Sequence, residues 1–203
     1  MLTQIGAKPE SDFSEPLGTL SDCHKRIQYF LKDLVRLAEG TSNATLDLDR
    51  RVALERALRY FRESAPRHTA DEEESLFPRL RAMNDERLHS AWVKIEQLQK
   101  DHERADVAHR IVDGIGVRWL EDGVIDAEDA DRLKANLDAL SELYERHLAV
   151  EDKEIFPIAA TVLSASDQIE MGRQMASRRG LSSEIVKTEA PSRGLLGPVA
   201  VLR

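Results

Sequence analysis

Two eleven-residue stretches, HTADEEESLFP from His68 and HLAVEDKEIFP from His147, repeat one pattern 79 residues apart. Each sets a glutamate four residues after the histidine (Glu72, Glu151), then a bulky aliphatic, a phenylalanine and a proline at matched offsets. In a helix that spacing puts imidazole and carboxylate side by side on one face, about 6 Å apart along the axis. Both stretches continue apolar seams stepping by three and four residues. One runs Leu54, Leu58, Phe61, Ala65, His68, Glu72, Leu76, and the other Leu133, Leu137, Leu140, Tyr144, His147, Glu151, Ile155. Two more seams follow the same period: Leu20, His24, Ile27, Leu31, Leu34, Ala38, and Leu88, Trp92, Ile95, Leu98, His102, Ala105, His109, Val112. Four such seams, each carrying a histidine where an aliphatic residue belongs, constrain the chain to helices packed about a shared core.

The expected fold is all-α, an antiparallel up-down-up-down four-helix bundle. Strong helix formers (Ala, Leu, Glu, Arg) dominate, and the ten glycines and seven prolines fall mostly between seams or at the ends. Residues 1–18 read as an irregular lead-in, with helix 1 beginning at Thr19 or Ser21 and stopping at 39–43. Helix 2 starts near Asp47, with kinks expected around Pro66 and Pro78. After a turn at 83–86, capped by Asn84 or Asp85, helix 3 runs to about Asp113, where Gly114 and Gly116 weaken it, with room for a last turn to Leu120. Helix 4 spans Ala127 to Leu163 after a loop at 121–126. The bundle thus covers 19–163 as two helix pairs, 19–83 and 85–163. A short helix at 164–180 and an extended tail at 181–203 follow.

A net charge of -8 argues against duplex nucleic acid as a partner, because phosphates call for a basic face. No apolar run reaches the roughly 20 residues that span a bilayer, so no membrane partner is expected. The single cysteine, Cys23, allows neither an intramolecular disulfide nor a thiolate zinc knuckle. With no apolar signal core at the start, the cytoplasm is the expected compartment.

The spacing His24 to His68 is 44 residues and His102 to His147 is 45, so the chain reads as a duplicated unit: histidine, a long interval, then His-x-x-x-Glu. Two carboxylates facing each other in a core repel, and cations remove that cost. Two histidines and one carboxylate from each half suit a dinuclear metal site. Imidazole plus carboxylate fits iron, manganese or zinc.

These residues resemble the HHE, or hemerythrin-like, family of four-helix bundles with a non-haem di-iron centre, over roughly residues 20–163. The resemblance implies that His24, His68, His102 and His147 are terminal iron ligands and that Glu72 and Glu151 bridge the irons. It lies closer to the branch that repairs iron–sulfur clusters than to the oxygen carriers. The carriers have a second histidine four residues on in helix 3, where this chain has Asp106, and an aspartate where it has Glu151. The repair proteins carry an additional cysteine-bearing segment and a further histidine that have no counterpart here. His109 lies about 10 Å along the helix from His102, too far to share the iron pair. Four imidazoles and two bridging carboxylates fill about eight coordination positions. A bridging oxo or hydroxo group makes about ten, against about twelve on two octahedral irons.

Open positions imply a protein that binds or reacts with oxygen, nitric oxide or peroxide, as a stress-protective oxidoreductase. The alternative is a non-catalytic metal or oxygen sensor whose apolar tail, GLLGPVAVLR, meets a protein partner or a second copy. Glu73, Glu103 or Asp106 could take a remaining position. Tyr144 is either core or a donor to a bridging carboxylate. Cys23 reads as inert, His89 as solvated, and the Leu-Phe-Pro and Ile-Phe-Pro tails as shaping the end of the bundle.

Overall fold

The computed structural model describes residues 11–40 and 45–181. The start of the lead-in and the tail beyond Leu181 lie outside them. Helix α1 spans Pro16–Ala38. It begins before Thr19 because Pro16, with its fixed φ and no N–H to satisfy, sits in the first turn. Helix α2, Leu48–Glu63, is capped by Asp47, whose side chain accepts from the Arg50 N–H at 2.8 Å. Across Ser64 the chain continues as α3, Ala65–Asp71, then a π-helical turn, Glu72–Leu76, then α4, Phe77–Ala82. Asp85 caps a short 3-10 turn, Glu86–Leu88, which leads into α5, His89–Asp122. Helix α6, Ala127–Val150, passes through a second π-helical turn, Glu151–Ile155, into α7, Phe156–Val162. Helix α8, Ala165–Arg178, opens on a capping box between Ser164 and Asp167.

One local expectation is corrected here. Gly114 and Gly116 do not end the third long helix, which continues to Asp122 and stops at Gly123, φ +73°. Gly116 serves helix packing: a Cβ there would come within 2.7 Å of Leu58 Cδ1. The interruption expected at Pro78 takes the form of a π-helical turn, and the chain makes a second such turn before Pro157. In each, the phenylalanine N–H bonds back five residues, Phe77 to Glu72 O and Phe156 to Glu151 O. The following proline has no N–H to restore the α register, so the turn widens by one residue.

Helix α1 packs on α2 and α6, and α5 packs on α2 and α6, closing a four-sided helical bundle. One end is tied by a single bridge between Thr45 and Val124, with the Leu46 N–H donating to Gly123 O at 2.7 Å. Helix α8 lies across α1, α3 and the first π-turn. There Arg178 and Arg179 both reach the buried Asp71, at 3.0 and 2.7 Å.

The apolar core divides in two. One cluster holds Ile27, Leu58, Ala105, Tyr144 and Leu148, and the other Leu20, Leu76, Leu98, Ile155 and Met171. Most of these residues lie on the anticipated seams; Leu148 and Met171, the latter from α8, join the core from outside them. Between the two clusters, at the height where each seam carries its histidine, is a polar layer.

Candidate metal centre

Helices α1, α3, α5 and α6 each deliver one histidine to this layer, and the two π-turns each deliver one glutamate from their first position. His24, His68, His147, Glu72 and Glu151 are buried, the two glutamates fully. His102 side-chain exposure is 8%. The imidazoles form two pairs, His24 with His68 at 5.0 Å between ring centroids and His102 with His147 at 4.7 Å.

The carboxylates lie between the pairs. Glu72 turns Oε1 to His68 Nε2 at 3.5 Å and to His24 Nε2 at 3.9 Å, and Oε2 to His102 Nε2 at 3.4 Å. Glu151 turns Oε2 to His24 Nε2 at 3.3 Å and Oε1 to His147 Nε2 at 3.2 Å. Two four-residue groups result: His24, His68, Glu72 and Glu151, and Glu72, His102, His147 and Glu151. In each, one ligand-type atom from every residue lies within 4.8 Å of the others. Both glutamates belong to both groups.

The chemistry of this layer calls for positive charge. All four oxygens of Glu72 and Glu151 are buried with no hydrogen-bond partner among the described residues. Carboxylates so placed are costly unless cations or protons stand beside them. Protons answer part of the demand. Burial pushes the His24 imidazolium down, but Asp152, Glu151 and Glu72 outweigh it and raise its pKa to about 11. Burial likewise opposes the charge on His102, while Glu72 and Glu73 lift it to about 10. His68 is also raised, by Glu72 against its burial. Glu72 is held well below the usual carboxylate range because His68, His102 and His24 outweigh its own desolvation. Four imidazole nitrogens around two shared carboxylates make a donor set that fits two adjacent cations.

The family comparison agrees with this geometry. The family model for the hemerythrin HHE cation-binding domain matches residues 15–159. The chain belongs to the hemerythrin HHE family. It is also 30% identical over 172 residues to an uncharacterized protein of Haemophilus influenzae, across 82% of this chain and 91% of that one. Family membership makes this a cation-binding helical protein, and the match encloses all six residues of the two groups.

Most of the other residues singled out by sequence stand outside this layer. His109 stands apart from it: the ring stacks on Phe61 at 4.3 Å, and Nε2 is 2.9 Å from the Tyr144 hydroxyl. Tyr144 therefore meets a histidine, not a bridging carboxylate. Burial lowers the His109 pKa to about 4. Asp106 pairs with Arg110 at the surface, and Glu103 is exposed. Cys23 borders His68 and accepts from Arg26 Nη2 at 3.1 Å. Glu73 does reach the layer, through His102 Nδ1 at 2.8 Å. Asp152, overlooked in the sequence, is its counterpart, 3.0 Å from His24 Nδ1. That approach lies off the ring N–H line, so it is a charge contact more than a directed hydrogen bond. The signal was available: each seam glutamate is followed by a second acid.

Proposed function

We propose that this chain is a non-haem di-iron protein in which Glu72 and Glu151 bridge two iron ions. His24 and His68 would hold one iron and His102 and His147 the other, with an oxo or hydroxo bridge between them. The observation that carries the reading is that both glutamates belong to both four-residue groups. When bound, such a centre supplies redox chemistry toward a small ligand: oxygen, nitric oxide or peroxide. The protein's part is to set the imidazoles, keep the carboxylates ionised and leave coordination positions open. A role in oxidative or nitrosative stress follows from that chemistry. The glutamate at 151, and Asp106 in place of a second histidine four residues after His102, favour the iron–sulfur-repair branch over the oxygen carriers. The ring of helix contacts and the Thr45–Val124 tie support an up-down-up-down bundle over 19–163, built as two helix pairs. No helix among the described residues is long and apolar enough to cross a membrane. We place the protein in the cytoplasm, without a nucleic-acid partner.

Elemental analysis after anaerobic reconstitution with ferrous iron is the test. About two irons per chain are expected, falling in both His68→Ala and His147→Ala, with loss of reactivity toward peroxide or nitric oxide. Unchanged iron content and reactivity in both variants would overturn the reading. Iron that binds without reacting would favour a sensor, with the tail as its contact to a protein partner or a second copy.

A further inference from the structure

All four histidines direct Nε2 at the carboxylates of Glu72 and Glu151, so each Nδ1 points away from the centre of the layer. What holds the two unpaired-motif histidines, His24 and His102, comes from the opposite half of the chain. His102, in the second half, has Nδ1 at 2.8 Å from Glu73 Oε1 and its ring 6.4 Å from Phe77, at 15° between planes. His24, in the first half, has Nδ1 at 3.0 Å from Asp152 Oδ1 and its ring 5.2 Å from Phe156, at 26°. Glu73 and Asp152 directly follow the seam glutamates, and Phe77 and Phe156 lie five residues after them. Two offsets in the repeated motif thus recur in two contacts, with the halves exchanged. Asp152 is itself anchored to α1 by the Ser21 hydroxyl, which donates to Oδ1 at 2.7 Å.

We propose that Glu73 and Asp152 are exchanged positioning carboxylates, each bracing through Nδ1 the histidine of the half it does not belong to. The idea rests on the di-cation reading above. A carboxylate at Nδ1 keeps the proton there, leaves Nε2 as the donor atom, fixes the ring plane and raises the basicity of the imidazole. Each cation position is then built by one half and braced by the other. Neither helix pair alone can present a braced set, which gives the tandem arrangement a chemical reason as well as a packing one. Both side chains are partly exposed, at 34% for Glu73 and 40% for Asp152, so their replacement leaves the buried core intact.

The test uses the full chain and cobalt(II), displaced by a competing chelator, in two backgrounds that each retain one position. In His147→Ala, which keeps the His24 position, Asp152→Ala should weaken cobalt about 10- to 100-fold and Glu73→Ala should change it less than about threefold. In His68→Ala, which keeps the His102 position, the two effects should exchange. Glu73→Gln, which can still accept from Nδ1, should recover part of the loss, and Asp152→Asn, which keeps the shape of its contact and not the charge, should recover less. No weakening, or weakening without the exchange, would overturn the proposal while the di-iron reading stood. If even the unmodified chain took up no metal, that reading would fail instead. Imidazole nitrogen spectra of the metal-free chain would then decide the bracing: Glu73→Ala should move the Nδ1 resonance of His102, and an unaltered signal would refute the contact.

Discussion

Replacing Glu72 by glutamine separates a residue that holds cations from one that holds the fold. Glu72 is fully buried, belongs to both four-residue groups and has no hydrogen-bond partner for either oxygen among the described residues. A cation present at a thousandfold its dissociation constant stabilises the native state by about 4 kcal/mol. For a chain of 203 residues that corresponds to roughly 8–16 °C in melting temperature. Chelator should therefore lower the wild-type melting temperature by about that much. In Glu72→Gln the chelator-sensitive part should fall below about 1 kcal/mol, because one substitution touches both groups. The metal-free forms should differ far less. The imidazoles that Glu72 keeps charged can give up their protons once it is neutral, so no orphan charge remains, and the cost stays within about 2 kcal/mol. The assay is thermal unfolding of both proteins, with iron and with chelator. A full chelator shift in Glu72→Gln would refute the argument. So would a metal-free variant melting more than about 10 °C below metal-free wild type, since Glu72 would then be a structural ion-pair partner.

Three further outcomes are expected. Metal uptake at pH 7 should release at least about two protons per chain, because His24 and His102, with pKa values of about 11 and 10, carry them in the metal-free state and His68 is raised as well; titration in weak buffer measures this, and a proton-neutral uptake would contradict it. His109 titrates near its ordinary 6.5 when unfolded and at about 4 when folded, so stability present above pH 6.5 is lost as pH falls through 4, by up to about 3 kcal/mol; denaturant unfolding across pH should show a flatter profile for His109→Leu. Gly172→Ala should detach residues 11–15 from α8 and cost about 1–3 kcal/mol, since a Cβ there would lie 1.9 Å from Phe13 O; chemical denaturation checks this.

The seams were legible because burial in a bundle leaves a period that composition cannot hide. Leu31, Leu58, Ile95 and Leu137 are all buried where that period puts them. The convergence of the six candidate residues was legible for the opposite reason: His24 or Glu151 on an apolar stripe is expensive, and the expense is repeated. Contacts that depend on the angle between helices were harder to read. Pairing of Glu73 with His102 needs the rotation of the first π-turn against α5, which no single-helix pattern encodes. Gly116 looked like a helix breaker because the approach of Leu58 is a tertiary fact. The π-turns themselves left a faint trace: the steps His68, Glu72, Leu76 and His147, Glu151, Ile155 are four and four, where an α-helical seam alternates four and three.

Those turns act as a phase change within a helix. One added residue rotates everything below it by about 100° relative to everything above. In the two helices that carry them, the upper core residues, such as Leu58 and Leu140, and the lower ones, such as Leu76 and Ile155, are therefore laid out in two angular frames, and His68, Glu72, His147 and Glu151 sit where the frames meet. Removing one residue from Glu72–Leu76 or Glu151–Ile155 would merge the frames, swinging Phe77 away from His102 or Phe156 away from His24. The chain should refuse changes of length at these two turns, where its reading frame in space is set.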